Sequence, residues 1–219
     1  MKEKFFQKYS NTYWVILIGS FVGFIHENLL TILKGKFILR QGLIYEPLIP
    51  IYGIGSLVFY LIYKKLNLES KSSALQIMYA FIIGFLVGGI TEYTCSFIQE
   101  KFFGTISWDY SNLKFDLNGR TSLFHAIFWG IAGVFFYKVL FPFIKKIQKA
   151  FTNEYVKVLT ISLSVFLLID ASISALACYR RQQRLNKIDS NNFLAEFLDK
   201  AYPDEFIDRI YSNTMKVNK

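Results

Sequence analysis

Long apolar stretches of nearly 20 residues constrain the fold of this chain more than any other feature. A helix needs about 20 apolar residues to cross a bilayer whose hydrocarbon core is about 30 Å thick. Alternating ten-residue segments of the kind found in membrane barrels are not present. Because a backbone in lipid must satisfy its own hydrogen bonds, we predict an all-α, polytopic membrane protein. About five transmembrane helices are expected, at residues 13–33, 48–63, 74–98, 123–144 and 156–178.

The charge balance favours a membrane protein over a nucleic-acid binder. Lys and Arg number 25 against 16 Asp and Glu, for a formal net charge of +9. The basic residues lie mostly at the ends of the apolar stretches, where they reach lipid headgroups, so the lipid bilayer is the predicted partner, in the cell membrane. Cys95 and Cys178 are too few for a disulfide framework or a four-ligand zinc site, and nothing in the sequence identifies a metal or a cofactor.

The distribution of apolar residues predicts three regions: a polar N-terminal segment (1–12), a transmembrane domain (13–178) and an amphipathic C-terminal tail (179–219). The first apolar stretch is too long for a signal peptide and has no small-residue cleavage site after it, so we expect a retained helix. A group of three arginines, Arg180, Arg181 and Arg184, predicts the end of the last membrane helix. Beyond it, apolar residues at helical spacing predict two short helices that lie on headgroups or dock on a partner.

A repeated pattern, GxxxGxxxE, ends at Glu27 in the first apolar stretch and at Glu92 in the third. Residues four apart share a helix face, so each helix presents two glycine notches and then a carboxylate. An aromatic-Gly-Ile triplet also recurs, at Tyr52 and at Trp129. We interpret this as two duplicated helical hairpins (13–65 and 74–146) plus an extra helix (156–178), with chance matches among glycine-rich spans as the alternative. The glycine faces permit packing within the chain or a homo-oligomer.

Three carboxylates, Glu27, Glu92 and Asp170, are predicted to lie at one depth because their helices run in the same direction. A charge at such a depth costs about 2.5 to 3.5 kcal/mol, so these residues should face the protein interior and have a partner. Arg40 and Arg120, in loops on the same side, are the predicted partners. The five residues would bind a cation or relay protons, hold an anionic substrate through the arginines, or only pair and lock the hairpins together.

Several motifs together resemble a known family. They are Glu27, Arg40-Gln41-Gly42, Pro50-Ile51-Tyr52-Gly53, Glu92, Trp108-Asp109-Tyr110-Ser111, Asn118-Gly119-Arg120 and Trp129-Gly130. Over residues 14–170 the chain resembles the CmpB-like or "type IV" family of small bacterial membrane proteins described as ABC-transporter permeases. The pieces PIYG and WDYS are the most specific, and the resemblance implies that Tyr52, Gly53, Trp108, Asp109 and Tyr110 belong to the family-motif loops. Glu46 departs from the pattern, which has glycine there.

The resemblance implies a permease. The sequence has no GxxxxGK[ST] phosphate loop, so an ABC-type transporter built on it would need a separate ATPase partner. We expect a multi-pass, permease-like subunit that moves a small solute or ion through a polar intramembrane site. The alternatives are a membrane assembly protein whose buried charges only pair, and a lipid-modifying membrane enzyme. Enzyme chemistry is less favoured, since no nucleophile elbow and no HExxH motif are present.

Overall fold

The computed structural model describes residues 2–36, 38–150 and 154–216. The predicted N-terminal segment and C-terminal tail therefore extend, at Met1 and at 217–219, beyond the described residues. The helices are α1 (Lys2–Leu33), α2 (Pro50–Leu66), α3 (Ser73–Phe103), α4 (Leu123–Phe135), α5 (Phe141–Ala150), α6 (Glu154–Leu185), α7 (Phe193–Ala201) and α8 (Asp204–Ile210). Four two-residue strands are β1 (Thr105–Ile106), β2 (Asp116–Leu117), β3 (Thr121–Ser122) and β4 (Met215–Lys216). The all-α membrane fold is confirmed.

Four helical stretches of the described chain are long and apolar enough to cross a membrane: Phe6–Leu33, Ser73–Phe103, Leu123–Gln148 and Glu154–Leu185. The third joins α4 to α5 through a π-helical turn, Phe136–Leu140. α2 has 17 residues, which at 1.5 Å per residue falls short of a hydrocarbon core of about 30 Å. The second predicted span, 48–63, corresponds to α2, which is shorter than the other three helical stretches, and the count of five spans stays a prediction.

The chain before α2 explains why this helix is short. Asn28 of α1 accepts a hydrogen bond from the backbone N–H of Arg40 (2.9 Å) and donates one to its carbonyl (2.8 Å). Farther along, the Ile49 N–H donates to the carbonyl of Ser20 (3.1 Å). Ser20 lies about 20 Å below the end of α1. Residues 40–49, the re-entrant loop, therefore pass into the helix bundle before α2 begins.

Irregular backbone at membrane depth must be buried in protein and hydrogen-bonded there. Leu43, Ile44, Glu46 and Leu48 of the re-entrant loop are all buried. The loop's own turns satisfy two N–H groups, from Gly42 to the Leu48 carbonyl and from Leu48 to the Glu46 carbonyl (both 2.8 Å). Side chains of α6 satisfy three more, so the loop depends on α6 for its conformation.

Glycines allow the helices of each consecutive pair to approach closely. A Cβ atom on Gly23 of α1 would overlap the Tyr52 side chain of α2. In the same way, a Cβ atom on Gly88 of α3 would overlap the Trp129 side chain of α4. Small residues at such positions are typical of packed membrane helices. α1 therefore packs along α2, and α3 along α4.

Aromatic rings join the two helix pairs at the end opposite the re-entrant loop. Tyr63, near the end of α2, is fully buried, and its hydroxyl lies 3.2 Å from the Gly133 carbonyl of α4. Its ring packs against those of Tyr137 (5.1 Å between centroids) and Phe136 (6.0 Å). Aromatic ring pairs add stability beyond that of their buried area, so this cluster stabilises the contact between the two helix pairs.

The arginines at the end of α6 bind the tail rather than lipid headgroups. Ion pairs join Arg180 to Asp199, Arg181 to Asp208, and Arg184 to Asp199 and Asp204. The apolar residues of α7 and α8 pack on the same end of the chain, in a cluster of Ile44, Ala177, Leu198, Tyr202 and Ile207. β4 pairs antiparallel with β1. The predicted tail helices are present, but they dock on this protein's own α6 and loops.

Candidate functional site

Glu27, near the end of α1, lies among three polar side chains. Arg40 of the re-entrant loop donates from Nη1 to Oε2 of Glu27 (2.7 Å), and the Tyr52 hydroxyl donates to Oε1 (2.7 Å). The His26 Nδ1 atom is 3.1 Å from the same hydroxyl. Because Asn28 fixes the backbone of Arg40, the guanidinium is held in place for this pairing. The predicted partnership of Glu27 with an arginine is present.

Glu92, the corresponding carboxylate of α3, receives neutral donors. It is 5% exposed and accepts hydrogen bonds from Thr121 Oγ1 (2.8 Å) and the Tyr110 hydroxyl (3.1 Å). The indole of Trp129 is also within hydrogen-bonding reach. Hydrogen bonds of this kind stabilise a carboxylate without neutralising its charge. The two acidic residues are therefore in different electrostatic environments.

Tyr110 brings the two carboxylates into one site. Burial raises the pKa of Tyr110, and the nearby charges of Glu92 and Glu27 raise it further, while Arg40 opposes them. The ring of Tyr110 stacks on that of His125 of α4, with 3.6 Å between centroids. Tyr110 therefore donates a hydrogen bond to Glu92 and also experiences the charge of Glu27.

Two aromatic rings connect the halves of this site. The rings of Tyr52 and Trp129, which pack on the glycine notches of α1 and α3, are 5.3 Å apart. His26 of α1 also meets Phe128 of α4, with 5.4 Å between centroids. We call Glu27, Arg40, Tyr52, Glu92 and Tyr110 the paired-carboxylate cluster.

Arg120 does not join this cluster. Its guanidinium donates to Oε2 of Glu100 (2.6 Å) and lies over the rings of Tyr93 (5.4 Å) and Phe97 (5.3 Å). Glu100 is on the same helix as Glu92 but two turns nearer the end of α3, where the loop returns. The arginine therefore fixes the α3–α4 loop, and it pairs with Glu100 rather than with one of the three predicted carboxylates.

Asp170, on α6, holds the re-entrant loop. It is 1% exposed, and its Oδ2 atom accepts from the backbone N–H groups of Tyr45 (3.0 Å) and Glu46 (2.9 Å). Ser174, one turn later, accepts from the Ile44 N–H (2.9 Å) and donates to Oδ1 of Asp170 (3.0 Å). The partner of this carboxylate is backbone, a partner that the sequence does not reveal.

The motif residues of the α3–α4 loop build its hairpin. Trp108 donates from its indole to the Arg120 carbonyl (2.8 Å), and the Tyr110 N–H donates to the Gly119 carbonyl (2.8 Å). Asp109 accepts from the Ser111 N–H (2.9 Å), which is an ordinary loop-capping arrangement. Gly119 has φ +68°, a conformation that side chains disfavour. The motif thus positions Tyr110 over Glu92.

Gly53, the other motif glycine, serves close packing. A Cβ atom there would lie 2.7 Å from the Ile16 carbonyl of α1. Sequence reasoning missed Thr121 and the anchoring partners of the re-entrant loop. Thr121 gives no signal of its own, because it follows Arg120 in an ordinary polar loop. Within residues 2–36, 38–150 and 154–216, no group of three or more His, Cys, Asp or Glu side chains is placed to hold a metal.

A comparison with family models identifies the chain's relatives. The model described as "Putative ABC-transporter type IV" (ABC_trans_CmpB) matches residues 14–175. The chain belongs to this family. The resemblance inferred from the motifs is thereby confirmed, and the matched range of the CmpB family includes both carboxylates of the cluster, Asp170 and Ser174. It ends before the tail helices α7 and α8. Comparison with curated proteins and with solved structures finds no match.

Proposed function

We propose that this CmpB-family protein is a permease-like subunit of the cell membrane that moves a small cation through the paired-carboxylate cluster. The observation that carries the proposal is the ring contact between Tyr52, which donates to Glu27, and Trp129, which lies beside Glu92 (5.3 Å between centroids). Intramembrane carboxylates are costly and commonly mark ion or substrate pathways. Arg40 lies on the loop side of the cluster, as expected for its mouth.

The charge of the cluster favours a cation over an anionic substrate. Two carboxylates face one guanidinium, since Arg120 is engaged by Glu100. Glu92 has only neutral donors among the described residues. A cation or a proton at Glu92 would balance the remaining negative charge, whereas an anion would add to it.

An internal duplication would place this site on a pseudo-two-fold axis. Contacts of α1 with α2 recur between α3 and α4 with constant offsets in residue number. The contact of Gly23 with Tyr52 corresponds to that of Gly88 with Trp129, and the contact of Gly19 with the Tyr52 carbonyl corresponds to that of Gly84 with the Trp129 carbonyl. The contact of Gly53 with Ile16 corresponds to that of Gly130 with Phe81. The offset is 65 positions for the first helix and 77 for the second. These constant offsets support an alignment of the two hairpins in which the aromatic-Gly-Ile triplet at Tyr52 corresponds to the one at Trp129.

Contacts between the two pairs support the same axis. Tyr52 packs on Trp129 (5.3 Å), and Phe59 packs on Phe136 (5.6 Å). In each case the partners are 77 positions apart, so equivalent residues of the two copies touch each other. Contact between equivalent residues is the mark of a two-fold interface. We propose two hairpin copies with the same orientation, and the short α2 is then the second of five membrane elements.

One observation favours a purely structural role for the cluster. Both carboxylates already receive hydrogen bonds from protein groups, and buried ion pairs are often architectural. A neutral side chain of the same shape distinguishes cation transport from a purely structural role, because it should abolish the first and leave the second largely intact. Glu92→Gln keeps the shape of the side chain and one acceptor oxygen, and its NH2 group can donate to the hydroxyl that no longer has an acceptor. It removes the charge, so it abolishes cation binding while it largely preserves packing.

Liposome permeation tests the proposal. Purified protein is reconstituted into vesicles with an entrapped pH-sensitive or cation-sensitive dye, and entry of protons, sodium and potassium is compared with that of chloride in protein-free and protein-containing vesicles. We expect cation entry that falls at least tenfold in Glu27→Gln and Glu92→Gln. Glu196→Gln, an exposed residue of α7, is the matched control. Wild-type entry rates in both cluster variants, at normal folded yield, would establish the structural alternative.

An ATPase partner is part of the proposal, because the family is of the ABC-transporter type. Purification of the tagged protein from its native membranes in mild detergent should retain an ATP-hydrolysing subunit. The bound fraction is assayed for ATP hydrolysis and for nucleotide-dependent cation entry after reconstitution. A preparation from native membranes that retains no ATP-hydrolysing subunit, and whose cation entry is the same with and without ATP, would remove this partner from the proposal.

A further inference from the structure

Among the described residues, one buried carboxyl oxygen beside Asp170 has no hydrogen-bond partner. It is Oε2 of Glu46, in the re-entrant loop, whose side chain is 8% exposed. The hydroxyl of Tyr13, on α1, is 6% exposed. The Glu46 carboxylate acts electrostatically on the Tyr13 hydroxyl, so the two groups face the same interior region. Buried polar atoms are nearly always satisfied in folded proteins, and exceptions call for a ligand or a function.

Asp170 has hydrogen-bond donors on both carboxyl oxygens. They accept two backbone N–H groups and one serine hydroxyl. The Oε2 atom of Glu46 receives no such donor among the described residues. Of the two neighbouring carboxyls, Glu46 is therefore the one that lacks donors to stabilise a negative charge.

Glu46 lies beside the Asp170 carboxyl group. The negative charge of Asp170 acts on Glu46, whose own N–H donates to Asp170 (2.9 Å). The ionisable groups that face Glu46 are Asp170 on α6 and Tyr13 on α1, and the Tyr45 hydroxyl beside it is bonded to Tyr202 of the tail (2.8 Å). Among the ion pairs of the described residues, none includes Glu46.

A second buried anion beside Asp170 would be both desolvated and repelled. A single proton on Oε2 of Glu46 removes both penalties and gives the orphan atom a hydrogen to donate. We propose that Glu46 is a proton-binding site of the re-entrant loop, and that in the folded protein its carboxyl carries a proton beside the Asp170 side chain. Exchange involves only the O–H bond of Glu46, with water as the proton acceptor and donor. Loss of the proton sets two negative charges at the loop anchor and loosens it.

This site is separate from the paired-carboxylate cluster, and the inference holds whether or not that cluster conducts cations. The pH dependence of folding stability that Glu46 contributes is opposite in sign to that of a glutamate whose pKa is lowered by folding. A carboxyl that is protonated in the folded state binds more protons than the unfolded chain, so folding stability falls as the pH rises above the ordinary Glu pKa of about 4.3. Glu46→Gln imitates the protonated form and removes this dependence.

Infrared titration of the purified protein tests the proposal. At pH 7 the difference between wild type and Glu46→Gln should contain one equivalent per chain of protonated-carboxyl C=O absorbance. The band should disappear at alkaline pH as the wild type loses thermal stability, while Glu46→Gln retains its stability. Glu196→Gln, an exposed glutamate of the tail, should leave the band and its titration unchanged.

Two results would overturn the proposal. One is a pH 7 difference spectrum without a protonated-carboxyl band, which would show Glu46 to be ionised. The other is stabilisation of the wild type, but not of Glu46→Gln, by sodium relative to choline at constant ionic strength, which would make this a metal-cation site. Both measurements use the folded wild-type protein as reference, so they do not depend on the yield of a disruptive variant.

Discussion

The Tyr52 hydroxyl donates a 2.7 Å hydrogen bond to the Glu27 carboxylate across the interface of α1 and α2. Hydrogen bonds to charged groups contribute about 1.5 to 3 kcal/mol. We expect Tyr52→Phe to lower the free energy of unfolding in detergent by about 1.5 kcal/mol, the low end of that range, because Arg40 still pairs with Glu27. Tyr79→Phe, on an exposed part of α3, is the control. Equal stability of both variants would contradict the assignment.

Because Gly23 and Gly88 make equivalent close contacts, we expect alanine at either position to destabilise the helix packing by a similar amount. Gly23→Ala and Gly88→Ala would each press a methyl group against the base of an aromatic side chain, Tyr52 or Trp129. Overpacking of this kind costs about 1 to 3 kcal/mol. Gly55→Ala meets no atom within 4 Å and should be neutral or stabilising by about 0.5 to 1 kcal/mol through helix propensity. Unfolding of the three variants in mixed micelles measures the contrast, and similar values for all three would refute it.

Removal of the Asp170 or the Ser174 side chain, each of which holds the re-entrant loop on α6, should open this loop before the rest of the protein unfolds. Asp170→Ala leaves the N–H groups of Tyr45 and Glu46 without acceptors, at about 1 to 3 kcal/mol for each buried group. Ser174→Ala frees the Ile44 N–H and should cost about half as much. Hydrogen exchange of residues 40–49 reports the opening directly. Ser172→Ala, whose hydroxyl bonds only within α6, provides the control. Protection retained in Asp170→Ala would exclude this anchoring role.

Acid should release the tail. Hydrogen bonds and charge from Arg180 and Arg184 hold the pKa of Asp199 below its usual value. A carboxyl with a lowered folded-state pKa stabilises the docked tail above the unfolded pKa of about 3.9, and this stability is lost as the pH falls through the folded value. Limited proteolysis at pH 7 and at about pH 3 should show cleavage around α7 only in acid. Asp199→Asn should be cleaved already at pH 7, and exposed Glu205→Gln should not. Acid-resistant protection would contradict this linkage.

Hydropathy predicted the long helices because their apolar runs are as long as the helices themselves. It placed the start of the second span at residue 48, close to the start of α2 at Pro50, but it did not reveal that the preceding loop enters the bundle. Pro50 marks the helix start, but the depth at which α2 begins depends on the contact between Ile49 and Ser20, which no local pattern encodes. The repeated glycine notches, by contrast, predicted the close pairing of α1 with α2 and of α3 with α4.

The sequence also identified the carboxylates more reliably than their partners. Glu27 meets Arg40 as expected, because the loop returns along α1. Arg120 pairs instead with Glu100, and Asp170 binds backbone N–H groups, which carry no sequence signature. The arginines after Asp170 were interpreted as a membrane boundary, yet acidic residues at 199, 204 and 208 have the spacing needed to meet them. Complementary charge between a helix end and a tail is the signal that could have predicted this docking.

The pairing of β4 with β1 has a mechanical consequence. Ion pairs attach the tail to α6, and the pairing of β4 with β1 attaches it to the residues directly after α3. Any tilting of α6 is therefore transmitted as a pull on the start of the segment that carries Tyr110 and Thr121, the two hydroxyl donors above Glu92.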